Sequence, residues 1–87
     1  FWREDALSNL KDILAQYHRQ GKKVAKKIIE EISRDIEHIK KCPYHGYIES
    51  SMAGQPQKVC FYFSSKQIKI LYYAENDSLH IIDFWES

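Results

Sequence analysis

The stretch GKKVAKKIIEEISRDIEHIKK, residues 21–41, decides the fold. Most of its apolar residues are β-branched, a mild preference for strand. Their spacing argues the other way. Ala25, Ile28, Ile29, Ile32, Ile36 and Ile39 fall on one face of a helix with roughly 3.6 residues per turn. Between them stand Lys26, Lys27, Glu30, Glu31, Asp35 and Glu37, without strict alternation. The spacing therefore predicts a helix. Glu30 and Arg34 stand four apart and add about 0.3 kcal/mol as a pair. Pro43 ends the helix near Lys41.

On the N-terminal side, Ala6, Leu7, Leu10, Ile13, Leu14 and Tyr17 form a second apolar stripe at helical spacing. Arg3, Lys11, Asp12 and Arg19 then face water. Gly21 is a natural stop, because glycine enters a left-handed cap without a Cβ penalty. Two helices joined this closely run antiparallel, as a helical hairpin.

On the C-terminal side, Tyr44 to Pro56 reads as a loop, with His45-Gly46, Ser50-Ser51 and Gly54-Gln55-Pro56 as turn material. Three strand-like runs follow, Lys58–Phe63, Gln67–Tyr73 and Leu79–Trp85. Ser64-Ser65-Lys66 and Glu75-Asn76-Asp77-Ser78 separate them as hairpin turns. Phe1-Trp2 reads as the tail of a further strand before the first helix. The expected order is β-α-α-β-β-β. Segregated elements of this kind give an α+β fold, an antiparallel sheet packed against an α-helical hairpin.

With 87 residues the chain fits one domain, 1–87. Its net charge of +1 does not announce nucleic-acid binding, although Lys22, Lys23, Lys26 and Lys27 are crowded together. Two cysteines, Cys42 and Cys60, are few for a disulfide-built secreted domain and read as reduced thiols. No apolar run approaches the ~18 residues of a membrane span, and no signal-peptide pattern is present. The expected location is cytoplasmic, with no membrane partner.

Residues 2–10, 23–28, 41–46, 69–73 and 81–85 in combination resemble the RelE/ParE superfamily of toxin–antitoxin toxins. Trp2-Arg3-Glu4-Asp5-Ala6-Leu7-Ser8-Asn9-Leu10 is similar to the family's opening, where a tryptophan leads into the first helix. Lys23-Val24-Ala25-Lys26-Lys27-Ile28 resembles the start of its second helix. Lys41-Cys42-Pro43-Tyr44-His45-Gly46 looks like its N-P-x-x-G turn. Lys69-Ile70-Leu71-Tyr72-Tyr73 and Ile81-Ile82-Asp83-Phe84-Trp85 resemble two of its strands, and Lys58 stands near a position where members often carry arginine. The resemblance implies the toxin of a type II pair, neutralised by a cognate antitoxin. Toxins of the ParE branch poison DNA gyrase, and those of the RelE branch cut messenger RNA in the ribosome. The long hairpin and the thin catalytic set lean towards the ParE branch. A degenerate member acting only as a binding module is a third expectation.

A ribonuclease using the RNA 2′-hydroxyl needs a base, an acid and cations around the phosphate. Lys58, Lys69, Tyr73 and His80 are the candidates if the chain is RelE-like, with Glu86 nearby on the last strand. The plainer account of Lys69 and Tyr73 is a solvated strand face. Lys22, Lys23, Lys26, Lys27 and Trp85 are candidates for partner contact. Of the aromatics Phe61, Tyr62, Phe63, Tyr72, Tyr73, Phe84 and Trp85, about half must enter the core at strand spacing. Cys42-Pro43-Tyr44-His45 has a C-x-x-H spacing, but with Cys60 it supplies too few ligands for a structural zinc site. No metal or cofactor is expected.

Overall fold

A computed structural model describes residues 2–42, 47–48, 58–64, 68–76 and 78–86. Glu4 and Asp5 occupy the positive pole of the first helix, α1 (Glu4–His18), where acidic side chains are favourable. α1 closes on ordinary helical geometry at Arg19. Gly21 therefore opens the second helix, α2 (Lys22–Lys41), rather than capping the first. Its φ and ψ are both 145°, a region that is essentially glycine's alone. The Gly21 N–H donates to the His18 carbonyl at 3.1 Å, and its own carbonyl accepts from Ala25 N–H at 3.3 Å. Both helices match the periodicity closely.

Among the described residues the strands are β1 (Tyr47–Ile48), β2 (Cys60–Ser64), β3 (Ile68–Glu75) and β4 (Ser78–Glu86). They form one antiparallel sheet in the order β1-β2-β3-β4. Two expectations change here. The leading strand is reduced to an isolated parallel bridge between Trp2 and Ile81, joined by a bond from Arg3 N–H to the Ile81 carbonyl. α1 begins at Glu4, so among the described residues only Trp2 and Arg3 precede it, and Phe1 lies outside them. Conversely, β1 falls inside the stretch read as loop. Its pairing with β2 depends on residues more than ten positions away and leaves no local signal. The other turn positions of that stretch, including Pro43-Tyr44-His45-Gly46, lie outside the described residues.

The last hairpin turns tightly. Glu75 pairs with Ser78, and Asn76 stands in the turn after Glu75. Asn76 has φ +53°, a left-handed conformation that asparagine tolerates and two-residue hairpins demand. Ser64, read as turn, is instead the final residue of β2 and fully buried.

Sheet register fixes which side chain faces what. Cys60 pairs with Tyr72, Tyr62 with Ile70 and Ser64 with Ile68. This set faces the helices. On β4 a bulge intervenes, because Leu71 pairs with Asp83 while Tyr72 pairs with Ile81. The extra residue, Ile82, lets Ile81 and Phe84 both join the helix-side core. It also explains why β4 shows no clean alternation in sequence. Ala6 and Ile13 of α1, with Ile28, Ile32, Ile36 and Ile39 of α2, pack on Ile68, Ile70, Tyr72, Ile81 and Phe84. Each large side chain so buried stabilises the fold by about 1.5–3 kcal/mol. Two members of the predicted stripes, Leu7 and Ile29, are exposed. The sheet takes one line along each helix, and these two residues lie beside it.

Candidate functional site

Both described helices pack on one face of the sheet. The opposite face therefore presents the odd-numbered residues of β2 and β3 with their β4 partners. Val59, Leu71 and Ile82 form a small second core there, with Phe61 and Tyr73 packed against it. Around it lie the aromatics. Tyr47, 73% exposed, stacks on Phe61 with centroids 5.6 Å apart, and Phe61 meets Phe63 edge-on at 5.6 Å.

Lys69 sits within this group. It pairs across the sheet with Phe63 on one side and Trp85 on the other. Its ammonium lies 4.2 Å from the Phe61 ring centroid, 5.5 Å from the Trp85 ring and 5.9 Å from Phe63. Ring faces are electron-rich, so each close contact attracts the cation by about 0.5–1 kcal/mol at an accessible site. Lys69 is thus a lysine held among three aromatic rings.

Tyr73 and His80 are cross-strand partners whose rings stack at 4.5 Å and 6°. The structure brings these two together, as the strand reading anticipated. Lys69 shares their face but lies four residues away along β3, about 13 Å at strand rise. Lys58 is exposed two residues before β2, outside the paired register, and its charge is felt by the Cys60 thiol. The four candidate catalytic residues therefore occupy three places. A base and an acid serving one phosphate must both come within about 3 Å of its oxygens. Only Tyr73 and His80 are neighbours by this measure.

Cys60 is buried, and burial pushes its thiol up, against a smaller opposing pull from Lys58. Its thiol leans on the Lys58 carbonyl at 3.9 Å. Cys42 is exposed, and neither cysteine is in a disulfide. His45 lies outside the described residues, and among those described no group of three or more His, Cys, Asp or Glu could hold a metal.

One functional element escaped the sequence reading. Asp83 interrupts the apolar run of β4 and accepts three hydrogen bonds. Asn9 of α1 donates to its Oδ1 at 2.6 Å, as does the Phe84 amide at 2.8 Å. The Trp85 indole donates to its Oδ2 at 2.9 Å. Asp83 thereby fixes the orientation of Trp85 and ties this side of β4 to α1. The signal was available, since a carboxylate flanked by Ile82 and Phe84 must find donors. A second tie joins the same elements. The Tyr17 hydroxyl donates to Glu86, and partial burial followed by this carboxylate pushes the phenol up.

The outer side of the hairpin carries a groove of about 340 Å³ lined by Trp2, Leu10, Leu14, Ile29, Ile32 and Ile36. Trp2 packs on Phe84 at 5.4 Å, and Lys40 pairs with Glu37 at 3.0 Å on the rim. Lys22, Lys23, Lys26 and Lys27 are all exposed, at the far end of α2 from Lys40. No described helix is long and apolar enough to cross a membrane.

No protein-family profile matches the chain, and no curated protein matches it. Among solved structures it is similar to a chain of the "Chromosomal ParDE TA system from P. aeruginosa". The TM-score is 0.75 at 15% identity, covering 98% of this chain and 90% of that one. The two chains share one fold. Here the helical hairpin covers one sheet face, and the other holds Lys69, Tyr73, His80 and Trp85. The sequence reading and the similarity of shape agree on an α+β fold with a helical hairpin on an antiparallel sheet.

Proposed function

We propose that this chain is the toxin of a type II toxin–antitoxin pair. In this reading it acts in the cytoplasm, in the ParE manner, on an essential target such as DNA gyrase. A cognate antitoxin holds it inactive. The observation that carries the reading is the similarity to a ParDE-system chain over 98% of the length. The separation of the candidate catalytic groups supports the ParE branch over a nuclease. Lys69 is engaged with aromatic rings, and Lys58 lies before β2, close enough to Cys60 for its charge to be felt there. Trp85, beside Lys69, is the proposed contact for a protein partner.

The Tyr73–His80 stack favours a second reading, a RelE-like ribosome-dependent endoribonuclease using Lys58, Lys69, Tyr73 and His80. Induced expression with growth measurement, gyrase supercoiling and ribosome-bound mRNA cleavage separates these. Growth arrest with supercoiling inhibited and mRNA intact is the expected result. Cleavage that disappears in the Lys69→Ala/His80→Ala variant reverses the choice of branch. Normal growth with neither activity removes the toxin reading and leaves a binding module.

A further inference from the structure

The tip of the helical hairpin is electrostatically one-sided. From Ile13 to Ile29 the chain has no acidic residue, while His18, Arg19, Lys22, Lys23, Lys26 and Lys27 are basic. All six are exposed. The net charge of the whole chain is only +1, so the remainder is net negative and the positive charge is concentrated here.

The placement opposes helix stability. α2 has no acid in its first turn and no side-chain cap at Gly21, whereas α1 begins with Glu4 and Asp5. The first backbone N–H groups of any helix lack internal acceptors and form its positive pole. Lys22 and Lys23 add charge of the same sign to that pole. Lys22 and Lys26, and likewise Lys23 and Lys27, stand four apart and repel. Lys26–Glu30 and Lys27–Glu31 have pairing distance in sequence, but in the weaker order, with the acid C-terminal. None of the four lysines forms an ion pair among the described residues. An anion at the tip would relieve the repulsion and satisfy the pole together.

The composition says which anion. Lysine is depleted in protein interfaces, whose binding energy comes from aromatic and arginine anchors. Between His18 and Lys27 there is no Trp, Tyr or Phe, and Val24 is the one exposed large hydrophobic residue. Single-stranded nucleic acid is held by aromatic stacking, which this surface lacks. Lysine side chains and a helix N-terminus are the groups that contact duplex phosphates without reading bases. We propose that the hairpin tip binds the phosphate backbone of a nucleic-acid duplex, independently of sequence. This assignment does not rest on the toxin reading, so either can fail without the other.

The test is fluorescence anisotropy of the full chain with labelled DNA and RNA duplexes of random sequence. Four phosphate contacts give a salt slope of about −3.6, so affinity falls roughly 100-fold between about 25 and about 100 mM salt. Replacing Lys22, Lys23, Lys26 and Lys27 together by Gln should weaken binding at least about tenfold and flatten the slope. Circular dichroism confirms that this variant is folded. Lys22→Glu/Lys23→Glu should bind less and melt higher, because the helix start gains the charges it lacks. Lys11→Gln/Lys41→Gln, away from the tip, should change affinity less than about twofold. Binding indifferent to salt, or equally weakened by the Lys11/Lys41 control, overturns the assignment. So does capture of poly-glutamate with no duplex binding, which points instead to an acidic protein partner.

Discussion

Replacing Asp83 by alanine removes the acceptor for Asn9, the Phe84 amide and the Trp85 indole at one stroke. The three bonds are not equal. Those to Asn9 and Trp85 are exposed, so water replaces much of what is lost, and each contributes about 0.5 kcal/mol. The Phe84 amide is partly buried, and leaving it without an acceptor costs about 1 kcal/mol or more. The total is about 2 kcal/mol, a drop of roughly 8–16 °C in the melting midpoint for a domain of this size. Asp83→Asn keeps one oxygen but turns an amide donor towards one of the remaining donors, so it should lie between wild type and alanine. Thermal unfolding by circular dichroism measures the loss. A double-mutant cycle with Asn9→Ala should give a coupling of about 0.5 kcal/mol or more. Indole fluorescence reports whether Trp85 loosens. If Asp83→Ala melts within about 2 °C of wild type and shows no coupling to Asn9, the carboxylate is not a hub and Trp85 is held by packing alone.

Gly21→Ala should destabilise by about 1–3 kcal/mol through its backbone alone, since the added Cβ would meet only the Val24 side chain at 3.9 Å. A midpoint unchanged in urea titration would place the strain elsewhere. Ser64 buries a hydroxyl with no hydrogen-bond partner among the described residues. Ser64→Ala should therefore be neutral or stabilising by up to about 1 kcal/mol, and a clear loss would reveal a partner for it. Tyr17 and Cys60 are both raised, Cys60 by burial and Tyr17 by burial and then Glu86. The folded state thus holds their protons longer than the unfolded chain does. Their contribution is complete below about pH 8.5 and is lost as pH climbs through the folded values. Urea midpoints should fall above about pH 9, less steeply in Tyr17→Phe/Cys60→Ala, and identical slopes would refute the assignment. In native protein, iodoacetamide should modify Cys42 well before Cys60.

The helices were legible because their signal is local. Each isoleucine of α2 announces its face through neighbours three and four residues away, and the break at Gly21 lies between two clear periods. The β3–β4 hairpin was legible for the same reason, with Asn76 exactly where a left-handed residue is required in the turn. β1 was not, because two residues acquire strand geometry only when β2 arrives to pair with them. Neither was the bulge at Ile82. It changes the side of every later residue on β4, and nothing in the string Ile81-Ile82-Asp83-Phe84 says which residue is the extra one. The candidate site was half legible. Period two placed Lys69 and Tyr73 on one face correctly, and the neighbouring strand brought His80 to Tyr73. The aromatic rings around Lys69 come from β2 and β4, so its engagement appears only with the register.

That engagement bears directly on the choice between binding and chemistry. A lysine that serves as the acid of a nuclease must reach the leaving oxygen with its ammonium free of stronger local attractions. Lys69 would have to leave rings at 4.2 and 5.5 Å, forfeiting about 1–2 kcal/mol before any substrate contact forms. A partner that lies flat on Phe61, Phe63 and Trp85 would leave the lysine where it is and strengthen the contact by excluding water. Lys69→Arg discriminates the two. A planar guanidinium stacks on the same rings and keeps a docking surface intact. It is a poor proton donor, so a nuclease relying on Lys69 as an acid should lose most of its activity. Antitoxin affinity within about threefold of wild type, measured by calorimetry, is the result expected of a docking surface. Loss of affinity by more than about tenfold would mean that the ammonium itself, not its aromatic surround, is what the partner recognises.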